Sequence, residues 1–191
     1  MTLQQRMTEY LRERSVDREY AERAGLRAVD TPMSRTMGFA PALPGIVIPY
    51  LHPLSREPHK TLMRIRYFDP PVIGGKERRY AQPKDSGVEA FFDCNVDWAC
   101  VLPDVHATIV ITEGEVKALA LNQRRDALGV VTIAIGGVWM FKAREADDLT
   151  PWLRAMRELG RGREYIIAFD SDMATNPDVR AAALRLTELL V

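Results

Sequence analysis

Four carboxylates fall where chemistry could use them: Glu113 and Glu115 in Thr112-Glu113-Gly114-Glu115, and Asp170 and Asp172 in Asp170-Ser171-Asp172. Each group closes a short apolar run, HATIVIT (106–112) and EYIIAFD (164–170). Brought together, like charges a few ångströms apart repel strongly at low effective dielectric, so the cluster survives only by protonation or by binding a cation. An all-oxygen donor set without histidine favours a hard ion, Mg²⁺ or Mn²⁺, and gives no reason to expect zinc. Such an ion commonly keeps several waters and uses one or two carboxylates plus substrate phosphates. That suits phosphoryl or nucleotidyl transfer, or phosphodiester hydrolysis. The ordinary alternative is that each acidic group is a solvated strand end or a helix cap. Whether the two runs are neighbours in space decides between them.

The elements that must position these residues are legible in the second half of the chain. HATIVIT, VVTIAIGG (130–137) and EYIIAFD read as buried-type strands. Between the first two lies a helix with Val116, Leu119 and Ala120 on one face. The next helix has Thr150 as N-cap, Pro151 at its first position and Gly160 after its last turn. The last begins at Pro177, with Val179, Ala183, Leu186 and Leu190 on one face. Strand-helix alternation with near-continuous apolar strands predicts a parallel sheet covered on both faces, with ligands gathering at the carboxyl ends of its strands. Gly114 would let the chain turn from strand into helix directly after Glu113 and bring helix amides near a bound phosphate. Gly136 and Gly137 would let a ligand approach the backbone.

The first half follows another rhythm. Leu3, Met7, Tyr10 and Leu11 recur at helical spacing, and a second short helix runs from Ser15 as N-cap to Gly25. Ten of the twelve prolines lie between residues 32 and 103, a density that excludes long helices. GIVIPYL (45–51) and TLMRIRYF (61–68) are the best strands there. The expected organisation is a helical pair over 1–30, a small β-rich basic lobe over 31–104 and an α/β domain over 105–191.

His52 to Lys84 holds eight basic residues against three acidic ones. Arg64 and Arg66 share a strand face near Tyr67 and Tyr80, and Lys76, Arg78 and Arg79 extend the basic stretch. Cations interleaved with aromatics suit a single-strand or template groove; the alternative is an edge strand protected by charge. Trp139, just after Gly136-Gly137-Val138, suits stacking on a base or burial in a core. Lys117 suits a phosphate contact or a solvated helix face. Trp98 reads as packing, Cys94 and Cys100 as buried or idle thiols, and His52, His59 and His106 lack ligand spacing.

Composition removes other classes. The 191 residues carry 26 basic and 26 acidic side chains, which excludes a polybasic protein binding through overall charge. With 47% hydrophobic and 27% charged residues the chain is globular rather than disordered. It has no run of 18 apolar residues, and its start lacks a signal-peptide pattern, so a cytoplasmic protein without membrane contact is expected.

ITEGEVKALA (111–120), AIGGVWMF (134–141) and AFDSDMATNPDVR (168–180) together resemble the Toprim domain, as found in phage- and plasmid-encoded primase and primase-helicase proteins. YLRERSVDREYAERAGL (10–26), GIVIPYL, RIRYFDPP (64–71) and RRYAQP (78–83) extend the likeness over nearly the whole chain. The resemblance implies a Toprim-like, Rossmann-like α/β parallel sheet flanked by helices, preceded by a small proline-rich α+β lobe. It implies Glu113 as general acid or base and metal ligand, and Asp170 and Asp172 as Mg²⁺ ligands, with Glu115 second-rank. Toprim domains continue into a further strand, so 105–191 is expected to lack its last one.

The leading expectation is therefore a Toprim-like component of a mobile-element DNA replication protein, binding DNA or RNA and using Mg²⁺ for primase-type nucleotidyl transfer. No GxxxxGK[ST] occurs in these residues, so a separate helicase or replication partner is expected. The alternatives are a Mg²⁺-dependent nuclease with the same site, and a non-catalytic DNA- or protein-binding module on a degenerate Toprim fold.

Overall fold

A computed structural model describes residues 1–143 and 146–191, with every side chain except that of Asp172. The Asp172 carboxylate expected at the metal site thus lies outside the described residues. The chain forms two compact units, Met1–Tyr50 with Pro58–Gly87, and Leu51–Glu57 with Val88–Val191. The helical pair expected over 1–30 therefore shares a unit with the β-rich segment up to residue 87, while 88–104 pack into the α/β unit.

In the first unit, α1 (Leu3–Glu13) starts at a capping box between Thr2 and Gln5 and buries Met7 and Leu11. The N-cap of α2 (Arg18–Arg23) is Asp17, whose carboxylate accepts from the Tyr20 amide at 3.0 Å. Ser15, expected there, instead takes φ +57° in the turn between the helices. Next come β1 (Arg27–Val29), α3 (Thr31–Thr36), β2 (Gly45–Leu51), β3 (Pro58–Tyr67), β4 (Val72–Ile73), β5 (Lys76–Glu77) and β6 (Tyr80–Ala81). The order β1-β2-β3-β6 makes a four-stranded sheet, with β4 and β5 a separate hairpin. Pro32 lies in the first turn of α3, which runs only six residues and stops just before Gly38 at φ +82°. Val29, Phe39, Val47, Ile65, Tyr67 and Ala81 form the core.

The second unit holds α4 (Trp98–Val101), β7 (Ile109–Glu113), α5 (Glu115–Asn122), α6 (Arg125–Leu128), β8 (Val131–Ile135), α7 (Pro151–Leu159), β9 (Tyr165–Ala168), a 3₁₀ turn (Ser171–Ala174) and α8 (Pro177–Leu190). Its three strands are parallel in the order β8-β7-β9, so the chain leaves β7 for β8 and then crosses back to β7's other side. Ile109, Ile111, Ile133 and Ile135 share one core with Leu153 and Met156 of α7 and Ala182, Leu186 and Leu190 of α8. Strand alternation turns Val110, Thr112 and Ala134 to the other face. Ala182, rather than the expected Ala183, is the fully buried alanine of α8. Trp98 is core, its indole N–H donating to the Asp93 carbonyl at 2.8 Å.

The two sheet edges differ. At β8, Asn122 is fully buried; its amide nitrogen donates to the Thr132 carbonyl at 2.8 Å and its carbonyl accepts from the Thr132 N–H at 2.7 Å. Two residues on, Phe91 bridges Ala134 through bonds of 2.7 and 3.1 Å. Side chain and loop thus take the pairing places of a further strand. At β9, exposure alternates and Ile166 is 43% exposed, so this strand is covered on one face only. The expectation of cover on both faces fails there.

Proline at its first position begins α7 as expected, but Thr150 makes no side-chain cap bond. Glu89, 5% exposed, does that work: its carboxylate accepts from the Trp152 amide at 3.1 Å and from the Ala90 amide at 3.0 Å. An acidic group suits a helix N-terminus. Burial nevertheless pushes the Glu89 pKa up, against the pull of those amides.

Two outcomes are expected. Asn122→Ala strands the Thr132 N–H and carbonyl in the interior and costs about 3 kcal/mol in chemical denaturation. Because the folded protein holds the Glu89 proton more tightly than the unfolded chain, ionisation of Glu89 opposes folding. The stability of the parent minus that of Glu89→Gln should therefore fall as pH rises from about 4.3 through the raised folded value. A difference that rises over this window would contradict the assignment.

Candidate functional site

Register fixes the geometry at the carboxyl edge of the parallel sheet. Thr112 lies level with Ala168 on β9, and Glu113 level with Ile135 on β8. Asp170, two residues beyond Ala168, leaves β9 one step past the level of Glu113. Neighbouring strands are about 4.8 Å apart. Glu113, the last residue of β7, and Asp170, two residues past the end of β9, thus lie toward one edge of the sheet, although 56 residues separate them in sequence. Glu113 is half-buried, and the Asp170 side chain is 54% exposed.

The turn after Glu113 supplies the third group. Gly114 takes φ +94° and ψ 127°, and its N–H donates to the Ile135 carbonyl at 2.9 Å. Nothing lies within 4 Å of where a Cβ would sit, so backbone conformation alone calls for glycine. The turn starts α5, whose Lys117 ammonium donates to Asp170 Oδ1. Lys117, expected to face a phosphate or solvent, is thus the ion-pair partner of Asp170. Glu115, the second-rank ligand, is fully buried, inside the first turn of α5 rather than on the open edge. Gly136 and Gly137 do not adopt positive φ. A Cβ on Gly137 would meet the Met140 side chain at an ordinary 3.7 Å, so close packing does not explain that glycine.

Among the described residues no three His, Cys, Asp or Glu side chains gather tightly enough to cage a metal. The pair of oxygen donors, Glu113 and Asp170, fits a small hard cation that takes its other ligands from water and a phosphate. It does not fit a closed structural site. A cavity of about 460 Å³ lined by Arg157, Arg161, Arg163, Tyr165 and Leu190 lies by the amino end of β9, away from these carboxylates.

Trp139 is 37% exposed and is not a core residue. Its indole N–H donates to Asp178 at 3.0 Å, and the Lys142 ammonium lies 5.1 Å from its ring centre. Cys94 is half-buried; Cys100 is exposed rather than buried and bonds Asp97 at 3.3 Å. The Cys94 pKa is pushed up by burial, and that of Cys100 by its bond to Asp97.

In the first unit, Arg64 and Arg66 do share a strand face, and both reach the same ring: their guanidinium carbons lie 4.7 and 5.7 Å from the centre of Tyr80. The Tyr80 hydroxyl meets that of Tyr10 at 3.3 Å, and Arg14 stacks on Tyr10 at 3.8 Å. Arg6 lies 4.6 Å from the Phe68 ring centre and grips Asp69 through two bonds of 2.7 and 2.8 Å, which lowers the Asp69 pKa. Arg6, Tyr10, Arg14, Arg66 and Phe68 line a cavity of about 280 Å³. Tyr67, expected as a stacking partner, is fully buried and donates to the Pro41 carbonyl. Lys76 and Arg78 are exposed, and Arg79 pairs with Glu77 at 2.6 Å. Arg6, Tyr10 and Arg14 were missed in sequence because only the docking of α1 brings them to β3 and β6. The cation-aromatic pattern of α1 itself was the available signal.

Comparison with known proteins agrees with this architecture. Residues 97–191 match the model of a domain of unknown function (DUF3854). A solved structure of the DnaG catalytic core superposes with a TM-score of 0.59 at 15% identity, covering 99% of this chain. The chain spans 61% of the length of that core. No curated protein matches in sequence. The chain thus has a mixed α/β fold similar to the DnaG catalytic core, with a parallel three-stranded sheet flanked by helices. No described helix is long and apolar enough to cross a membrane.

Gly114→Ala should destabilise the protein by about 1–3 kcal/mol in chemical denaturation, since a β-carbon resists this positive φ even in open space. An unchanged midpoint would mean that the turn accepts another conformation.

Proposed function

We propose that this chain is a Toprim-like component of a mobile-element replication protein, performing metal-assisted nucleotidyl transfer of the primase type on nucleic acid. The observation that supports the reading is the β7–β9 register, which ends β7 at Glu113 and β9 at Ala168, two residues before Asp170, at the same edge. The DnaG-like fold supports it, as does the all-oxygen character of the pair. Glu113, Asp170 and Asp172 would hold Mg²⁺ or Mn²⁺, which supplies charge neutralisation at the reacting phosphate when bound. Glu113 takes the proton from the attacking hydroxyl oxygen, and its half-buried position limits competition from water. Lys117 and Trp139 border this chemistry as phosphate and base contacts.

Nucleic acid is held in the first unit by Arg64 and Arg66, with Lys76, Arg78 and Arg79 adding attraction along the strand. The faces of Tyr10 and Tyr80 are occupied by guanidinium groups, so phosphate pairing with the arginines carries more of this contact than base stacking. A separate helicase or replication partner supplies strand opening.

With Mg²⁺, single-stranded template and nucleotides, the pure protein should extend oligonucleotides, and Asp170→Ala and Glu113→Gln should each reduce the rate by about 100-fold or more. Products shorter than the substrate would identify a nuclease using the same carboxylates. Turnover equal in parent and both variants would remove the mechanism.

A further inference from the structure

We propose that Lys117 is the built-in counter-cation of Asp170, and that its ammonium gives up the carboxylate when a divalent ion arrives and turns to the phosphate of the substrate. The inference rests on the reading of Glu113 and Asp170 as a metal site and adds how that site is kept and loaded.

Three observations meet here. Lys117 Nζ donates to Asp170 Oδ1, an oxygen of the carboxylate that a hard cation would use. Both side chains are about half exposed, 48% and 54%, and ion pairs in such settings are weak and exchangeable. Lys117 stands three residues past Gly114, so its stem grows from the same turn that follows Glu113. One ammonium thereby offsets the charge of a carboxylate at the carboxyl edge of the sheet.

A doubly charged ion on the Asp170 carboxylate would sit close enough to this ammonium for the two cations to repel. The two cations therefore compete for one carboxylate. By linkage, whatever strengthens the lysine pair weakens metal affinity by the same factor. The released ammonium stays tethered at the edge on a flexible four-carbon stem, a compact point charge with three donors. A phosphate arriving with the metal offers it a new anion. The exchange lets the edge change ligands without leaving an unpaired charge. Lysine suits this duty better than arginine, whose planar fork would grip the carboxylate with two bonds and yield less readily.

The test is a Mn²⁺ titration of the full chain, followed by the electron paramagnetic resonance signal of the free ion, for the parent, Lys117→Met and Lys117→Arg. Lys117→Met should bind Mn²⁺ about two- to fivefold more tightly than the parent, and Lys117→Arg more weakly. In protein carrying ¹³C-labelled lysine, adding Mg²⁺ should move the Lys117 Cε resonance toward its position in metal-free Asp170→Asn. Equal Mn²⁺ affinity in all three proteins overturns the exchange and leaves the metal site standing. A Lys117 resonance indifferent to Mg²⁺ while the ion binds overturns it as well. Absence of Mn²⁺ binding in every variant overturns the metal site itself, and the exchange with it.

Discussion

Parallel pairing of β7 with β9 is the constraint on which the rest of the α/β unit depends. Hydrogen bonding sets Thr112 level with Ala168, and from that register the positions of Glu113 and Asp170 follow without adjustment. A one-residue slip would move the apolar side chains of β9 to its exposed face, so the isoleucine-rich core holds the register. Ile111 and Ile167 thereby set the electrostatics of an edge they do not touch.

Asp170 stands at the carboxyl edge of the sheet, and the chain offsets its charge. The chain does so locally, with a lysine one helical turn past the strand, on a helix started by the only residue type at ease with φ +94°. The same economy appears at Glu89, a buried carboxylate placed where the first amides of α7 need an acceptor. In the first unit the excess of arginine is absorbed by aromatic rings: Tyr10 and Tyr80 hold three guanidinium groups between them. Held in this way, the arginines keep their hydrogen-bonding edges in fixed directions.

The sheet is narrow, and its two margins are managed differently. Asn122 and Phe91 occupy the pairing groups of β8 on alternate residues, so that strand is closed by a side chain and a loop. β9 keeps one face exposed at Ile166. The likeness to the DnaG core runs through nearly all of this chain but only 61% of that structure, so what the two share is the scaffold.

Much of this was legible in the amino-acid order. Apolar runs of strand length, prolines at first helical turns and a glycine after Glu113 are local signals, and each depends on neighbouring residues alone; they gave β7, β8, β9, α7 and α8 nearly in place. Local signals also misled: Ser15 is a residue type that caps helices, yet the finished turn shows that Asp17 is the one whose side chain meets an amide. Tertiary structure alone decided that β7 would be the middle strand. It also turned Glu115 inward, set Lys117 on Asp170, gave Glu89 to a helix 62 residues later and docked Tyr10 beside Tyr80. Each of these joins residues far apart in the chain, and strand order and helix docking are settled by the burial of whole faces, a sum that no short window of sequence contains.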